Sequence, residues 1–230
     1  MDYISAVHKL QTIDQQQILQ QWDNLSEEEK KNLLKQVALF DVAQFRLQRS
    51  LLQEKGAKNP QGGSPLKNVG HAGNAEFHAL GMEKLRQGKV GCLVVAGGQG
   101  SRLGYNGPKG EVPVSVIRNK SLFQLIAEKT VAASNQVGHR LSLAIMTSPL
   151  NHQQTVAYFR SHAYFGLHPS QIDFFSQEML PFLDQKGDLF LETKNKIAEG
   201  PDGNGTALKH FVRSGIWDKW KRNGIESMVF

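Results

Sequence analysis

The chain has 230 residues, of which 40% are hydrophobic and 21% charged, with a formal net charge of +6 and a single cysteine, Cys92. That is globular composition: it excludes a wholly disordered chain, and one thiol excludes an internal disulfide framework and a multi-cysteine metal site. No apolar run reaches the length of a membrane span, and the start MDYISAVHKL lacks the charged and apolar blocks of a signal peptide, so the sequence points to a cytoplasmic chain without a membrane partner. The basic balance suits an acidic partner, but no long block of like charge and no basic stripe interleaved with aromatics is present, which argues against nucleic acid.

From Met1 to about Lys55 apolar residues recur at helical spacing: Ile13, Leu19 and Trp22, then Leu33, Leu34, Val37, Ala38 and Phe45. Ser26 followed by Glu29 has capping-box spacing, so a helix is expected from Leu25–Ser26 within a layer of two or three helices. Gly, Pro and Asn dominate Gly56 to Gly73, which reads as a linker, and Asn74 to Gln87 reads as one more helix ending at Gly88. From Lys89 the texture changes. VGCLVVAG is a β-branched run that stops at a glycine loop, as a buried strand does. VPVSVI (112–117) reads as a second strand, and Ser121 with Gln124 opens a helix through about Ala133. LSLAIMTS (141–148) is a strand, Asn151 with Gln154 is expected to cap a helix reaching His162, and QIDFFSQ (171–177) is a strand. DLFLET (188–193) is extended after the turn at Lys186–Gly187, Thr206 to Arg222 is helical, and SMVF (227–230) begins a strand. Strands alternating with helices predict an α/β fold: a mixed, mostly parallel sheet with helices on both faces, preceded by a helical segment. The division expected is 1–88 for the helical segment with its loop, and 89–230 for the α/β part.

The segment AGGQGSRLGYNGPKG (96–110) follows the first strand directly. Its glycines let backbone N–H groups approach an anion, and Arg102 and Lys109 add two cations, an arrangement suited to a polyphosphate. A P-loop would need Gly-Lys-Ser/Thr, whereas Lys109 sits between Pro108 and Gly110. A dinucleotide fingerprint fails as well, because Gly98, Gly100 and Gly104 are spaced one residue too wide and no acid stands at the expected offset.

This loop resembles the signature of the UDP-sugar pyrophosphorylases, the UTP–sugar-1-phosphate uridylyltransferases. KSLFQLIAEK (120–129), AIMTSPLNHQQTVAYF (144–159), HAYFGL (162–167), IDFFSQEMLP (172–181) and EGPDGNGTALKHF (199–211) follow in the order that family shows. The motif Gly-Gly-Gln-Gly-x-Arg-Leu-Gly is most similar to the UDP-N-acetylglucosamine branch, while Tyr105-Asn106-Gly107 resembles broad-specificity members, which leaves the sugar open. The resemblance implies a Rossmann-like, GT-A-like nucleotidyltransferase domain. It also implies a reaction in which a sugar 1-phosphate attacks the α-phosphorus of UTP and pyrophosphate leaves. By similarity Ala96, Gly97 and Gly98 contact the nucleotide through the backbone, Arg102 and Lys109 hold the triphosphate, Gln177 reads the uracil ring, Gly203 binds the nucleotide and Asn204 the sugar. From the residue alone, Gln177 reads instead as a strand-end side chain facing solvent. The family continues past Asn204 with a second glycine and an aliphatic–tyrosine pair, whereas this chain has Thr206-Ala207-Leu208.

The family also places a metal-holding aspartate just after the strand that begins at SMVF. The cofactor implied is therefore Mg2+ with its main protein ligand beyond residue 230, and Asp173 and Asp202 do not stand in the matching position. The chain thus reads as the N-terminal half of such an enzyme, with UTP, a sugar 1-phosphate and the C-terminal half as partners. The other reading is a catalytically inactive UTP-binding fragment or regulatory remnant. His71, His78, His152, His162, His168 and His210 show no metal-ligand spacing and are expected to be surface or packing residues, as Cys92, Trp217 and Trp220 are expected to pack.

Overall fold

The computed structural model describes residues 1–54 and 73–230; the expected linker, Gly73 apart, and His71 lie outside the described residues. In chain order the longer helices and strands are α1 (Tyr3–Gln11), α2 (Glu27–Leu39), α3 (Val42–Gln53), α4 (Ala75–Arg86), β1 (Val90–Val95), α5 (Leu122–Val137), β2 (Ser142–Thr147), α6 (His152–Ser161), β3 (Ile172–Ser176), β4 (Met179–Pro181), β5 (Leu191–Thr193), β6 (Lys196–Ile197), β7 (Glu199–Pro201), α7 (Ala207–Arg213), α8 (Ile216–Arg222) and β8 (Ser227–Val229). They fall into two compact units: one combines the N-terminal helices with Leu180–Gly200, and the other takes 73–179 with Pro201–Phe230.

In the first unit each helix begins at a residue whose side chain accepts from its first turn. Asp2 caps α1, Asp41 caps α3, and Ser26 with Glu29 forms both halves of the expected capping box on α2. Ala6, Leu10, Ile18, Leu33, Val37 and Phe45 form its core, and Leu189 and Ile197 from the later segment complete it. Ala38 turns outward instead. Two glutamines do the work of an adjoining strand. Gln15, fully buried, accepts from Leu189 N at 2.6 Å and donates to Asp188 at 2.9 Å, while Gln36 accepts from Ile197 N and donates to Asn195 O.

The second unit is built on a four-stranded sheet of order β3-β2-β1-β8, every neighbouring pair parallel. Leu143 and Ile145 of β2 face Phe123 and Ala127 of α5 and Phe159 of α6; Ala144 and Met146 face Ala207, Phe211 and Trp220 of α7 and α8. Helices therefore cover both faces, and β2, buried along nearly its whole length, reads as a continuous apolar run for that reason. Gly91 lies against Trp220: a Cβ there would come within 2.2 Å of the indole ring. The ring is fully buried and its Nε1 donates to Asp173 at 3.0 Å.

Four local expectations are corrected. The segment 112–117 is not a strand: the amides of Val114 and Ser115 both donate to Lys120 O, so the chain closes on itself as a turn and leaves Val116 and Ile117 more than nine-tenths exposed. The helix expected over 206–222 is two, because Gly215 at φ +77° ends α7, a conformation glycine adopts without strain. Asn151 stands at the N-terminus of α6 but makes no capping bond there; its side chain is used elsewhere. Helix α5 runs to Val137, beyond the expected end, and stops at Gly138 with φ +68°.

Candidate functional site

The sequence order of the sheet reverses at β1: β2 and β3 lie to one side of it and β8 to the other. In an open α/β sheet, ligands bind beyond the carboxyl ends of the strands at such a reversal. Ala96, Ser148 and Gln177 stand at those ends. Ala96 N donates to Met146 O at 2.7 Å and Gln177 N to Thr147 O at 2.9 Å, so the segments leaving β1, β2 and β3 begin side by side.

The glycine loop is a closed hairpin. Gly100 N donates to Gly107 O at 2.8 Å and Lys109 N to Gly98 O at 3.0 Å, around a bridge between Gln99 and Pro108. A short turn over Ser101–Leu103 carries Arg102 and closes at Gly104, φ +69°. Arg102 and Lys109 are both exposed, and among the described residues neither side chain makes an ion pair. The loop is braced from behind by Glu111, a buried carboxylate that accepts from Tyr105 Oη at 2.9 Å and from Gln154 at 3.2 Å. That bond stabilises the protonated phenol and raises the pKa of Tyr105.

Gln177 is buried rather than facing solvent, against the expectation from the residue alone. A Cβ on Gly97 would lie 2.3 Å from Gln177 Nε2, so the absence of a side chain at Gly97 is what admits the carboxamide. Gln177 Oε1 is buried and has no partner among the described residues. The next residue, Glu178, accepts through its carbonyl from Asp202 N at 3.1 Å, which sets the turn carrying Gly203, φ +80°, and Asn204 beside the end of β3. Gly97 meets Gln177 and Gly98 is bonded to Lys109, with Ala96 tied to the end of β2; Arg102, Gly203 and Asn204 lie on the adjoining loops and make no bond to these residues.

Two groups were not legible as site residues. His210 is buried, and its Nε2 lies 2.6 Å from Asp202 Oδ2, which also accepts from Thr206. This Asp202–His210 pair fixes the base of the 203–205 turn, so His210 does more than fill space. Asn151 links the ends of β1 and β2. Its residue type at a helix start signals a cap, and only its long-range partners reveal otherwise.

Among the described residues one group of three could hold a metal ion: Glu178, Asp202 and His210, with ligand atoms within 4.8 Å of one another. It does not fit Mg2+, which requires oxygen ligands in octahedral array. One donor is an imidazole already bonded to Asp202, and Arg213 lies 3.3 Å from Glu178 and adds positive charge. No helix among the described residues is long and apolar enough to cross a membrane.

The fold and these strand-end loops define an open α/β protein with a candidate ligand site at the carboxyl ends of its parallel strands. Residues 48–230 match the family described as UTP–glucose-1-phosphate uridylyltransferase, and the chain belongs to that family of UDP-sugar pyrophosphorylases. It is 33% identical over 227 residues to the Arabidopsis thaliana UDP-N-acetylglucosamine diphosphorylase 2, covering 89% of this chain and 45% of the relative. It is 32% identical to the Saccharomyces cerevisiae UDP-N-acetylglucosamine pyrophosphorylase, covering 92% and 49%. The Trypanosoma brucei uridine diphosphate N-acetylglucosamine pyrophosphorylase, solved in complex with an inhibitor, superposes with a TM-score of 0.70 at 25% identity, covering 97% of this chain and 50% of that one. The chain thus spans about half the length of the curated relatives it matches.

Proposed function

We propose that this chain supplies the nucleotide-binding half of a UTP–sugar-1-phosphate uridylyltransferase, with N-acetylglucosamine 1-phosphate or glucose 1-phosphate as acceptor. The observation that carries the reading is the buried Gln177 carboxamide seated against Gly97, beside a hairpin that presents Arg102 and Lys109 to solvent. A carboxamide offers a donor and an acceptor together and complements the imide edge of uracil. In this arrangement Ala96, Gly97, Gly98 and Gly203 hold the nucleotide through the backbone, and Asn204 reaches the sugar. Arg102 and Lys109 orient the triphosphate and balance the charge that builds in the transition state. A phosphate oxygen of the sugar 1-phosphate bonds to the α-phosphorus of UTP in line; the bond from that phosphorus to the oxygen of the β-phosphate breaks, and pyrophosphate leaves with the electron pair. No side-chain nucleophile is needed, because positioning and charge carry such transfers. The family's divalent ion, Mg2+, would neutralise phosphate charge, but the described residues gather no oxygen-ligand site for it. The division of labour we propose gives 1–88 a supporting role and 89–230 the nucleotide chemistry, in the cytoplasm, where a lone thiol such as Cys92 stays reduced.

The test is pyrophosphate release from UTP, Mg2+ and a panel of N-acetylglucosamine, glucose and galactose 1-phosphates, together with protection of the fold against heat by UTP. Turnover that disappears in the Arg102→Ala, Lys109→Ala double variant establishes the enzyme and its sugar. Heat protection by UTP without turnover supports the inactive UTP-binding reading. The absence of both turnover and heat protection overturns the proposal.

A further inference from the structure

We infer that Asn151 is a positioning residue that aims the backbone N–H groups of Gly97 and Gln99 at a phosphate of the bound nucleotide. The inference rests on the reading of UTP as the ligand. Asn151 is 1% exposed. Its Nδ2 donates to Ala96 O at 3.1 Å and to Gly98 O at 3.3 Å; its Oδ1 accepts from Ser148 N at 2.8 Å and from Ser148 Oγ at 3.2 Å. A primary amide has two donor hydrogens and two acceptor lone pairs, and here all four are engaged. None of them serves the helix that Asn151 precedes, so its type and burial are explained by the loop and not by a cap.

The consequence follows from peptide geometry. Every peptide bond among the described residues is trans, which sets C=O and N–H on opposite sides of each plane. Holding Ala96 O turns the N–H of Gly97 away from Asn151; holding Gly98 O does the same to the N–H of Gln99. Lys109 N grips the same Gly98 carbonyl at 3.0 Å, which ties the Lys109 backbone to this arrangement. Gln99 occupies the non-hydrogen-bonded position opposite Pro108, and from such a position the N–H points out of the hairpin. Neither the Gly97 nor the Gln99 N–H has a hydrogen-bond partner among the described residues. The two outward amides flank Gly98, an exposed glycine without a side chain to shield them, and are open to an anion. Asn151 itself touches no ligand and acts through the two carbonyls.

The inference is tested by titrating the 15N-labelled chain with UTP and following the backbone amides, in the wild type and in Asn151→Asp and Asn151→Ala. Aspartate keeps the size of the side chain but removes both donors and sets a carboxylate against two carbonyl oxygens. In the wild type the Gly97 and Gln99 resonances are expected to shift with UTP and to saturate together. In both variants that response is lost and UTP affinity falls about tenfold or more, the scale of losing hydrogen bonds to a charged ligand. Arg102→Ala keeps the amide shifts at saturation while weakening binding, which separates aimed amides from lost charge. Absence of UTP binding by the wild type overturns the nucleotide reading itself. Binding with Gly97 and Gln99 silent, or Asn151→Asp binding as the wild type does, overturns the role of Asn151 and leaves that reading standing. Should neither variant fold, the wild-type titration alone decides.

Discussion

The two units spend their buried polar groups differently. In the N-terminal unit the buried amide of Gln15 and the half-buried one of Gln36 close upon protein: Gln15 meets Leu189 N, Gln17, Asp14 O and Asp188, and Gln36 meets Ile197 N and Asn195 O. In the α/β unit, Glu111 Oε1, Gln177 Oε1, Asp202 Oδ1 and Thr155 Oγ1 are buried without a partner among the described residues; the first three belong to segments at the carboxyl ends of the strands, and Thr155 lies on α6. Gln48 Oε1 and Arg49 Nε, neighbours on α3, are the corresponding pair in the N-terminal unit. Burying a polar group without a partner costs free energy, so a concentration of such atoms at strand ends marks where a ligand can supply what the chain does not. The lesson is that side chains of one type serve two ends: Gln15, Gln36 and Gln171 tie protein segments together, whereas Gln177 stands at a candidate site.

The sharpest way to break the α/β unit is through the indole on its α7–α8 face. Trp220→Ala removes a fully buried ring and is expected to destabilise that unit by ~3–5 kcal/mol, read from urea unfolding, with UTP protection lost alongside. Next in size, Gln15→Leu should cost about 1–3 kcal/mol by leaving the buried Leu189 N without an acceptor. Hydrogen exchange at the Leu189 amide should accelerate while UTP affinity stays unchanged; a fall in UTP affinity would show that the two units do not divide structure from binding in this way. Gly97→Ala is expected to act in the opposite sense. The added Cβ displaces only the flexible end of Gln177, so the melting temperature should hold while UTP binds about tenfold more weakly. The smallest effect is spectroscopic. Glu111→Gln removes the carboxylate that accepts from Tyr105, so the phenol should ionise at lower pH than in the wild type. Phenolate absorbance followed through alkaline titration reads this directly, with Tyr105→Phe identifying which tyrosine moves.

Much of this protein is written locally. The capping box Ser26–Glu29, the strand VGCLVV that stops at glycine, and the glycines of the loop after it depend on neighbours a few residues away, and each stands where its spacing places it. The same local logic misleads where a long-range partner outbids it. Asn151 carries the signature of a helix cap, yet its donors go to carbonyls 53 and 55 residues distant. VPVSVI has the composition of a strand, but Pro113 lacks a donor and the following amides fold back onto Lys120.

The sequence by itself determined the α/β character, the alternation of strands and helices, and the loop with Arg102 and Lys109, because periodicity, capping and glycine content act over a few bonds. Only the tertiary structure decided that Leu180–Gly200 completes the core of the N-terminal helices, that Gln177 is buried against Gly97, and that Asp202 pairs with His210 beneath the turn of Gly203 and Asn204. Each of those depends on groups brought together by the packing of whole elements, and burial, which gives such contacts their energy, is a property of the assembled fold.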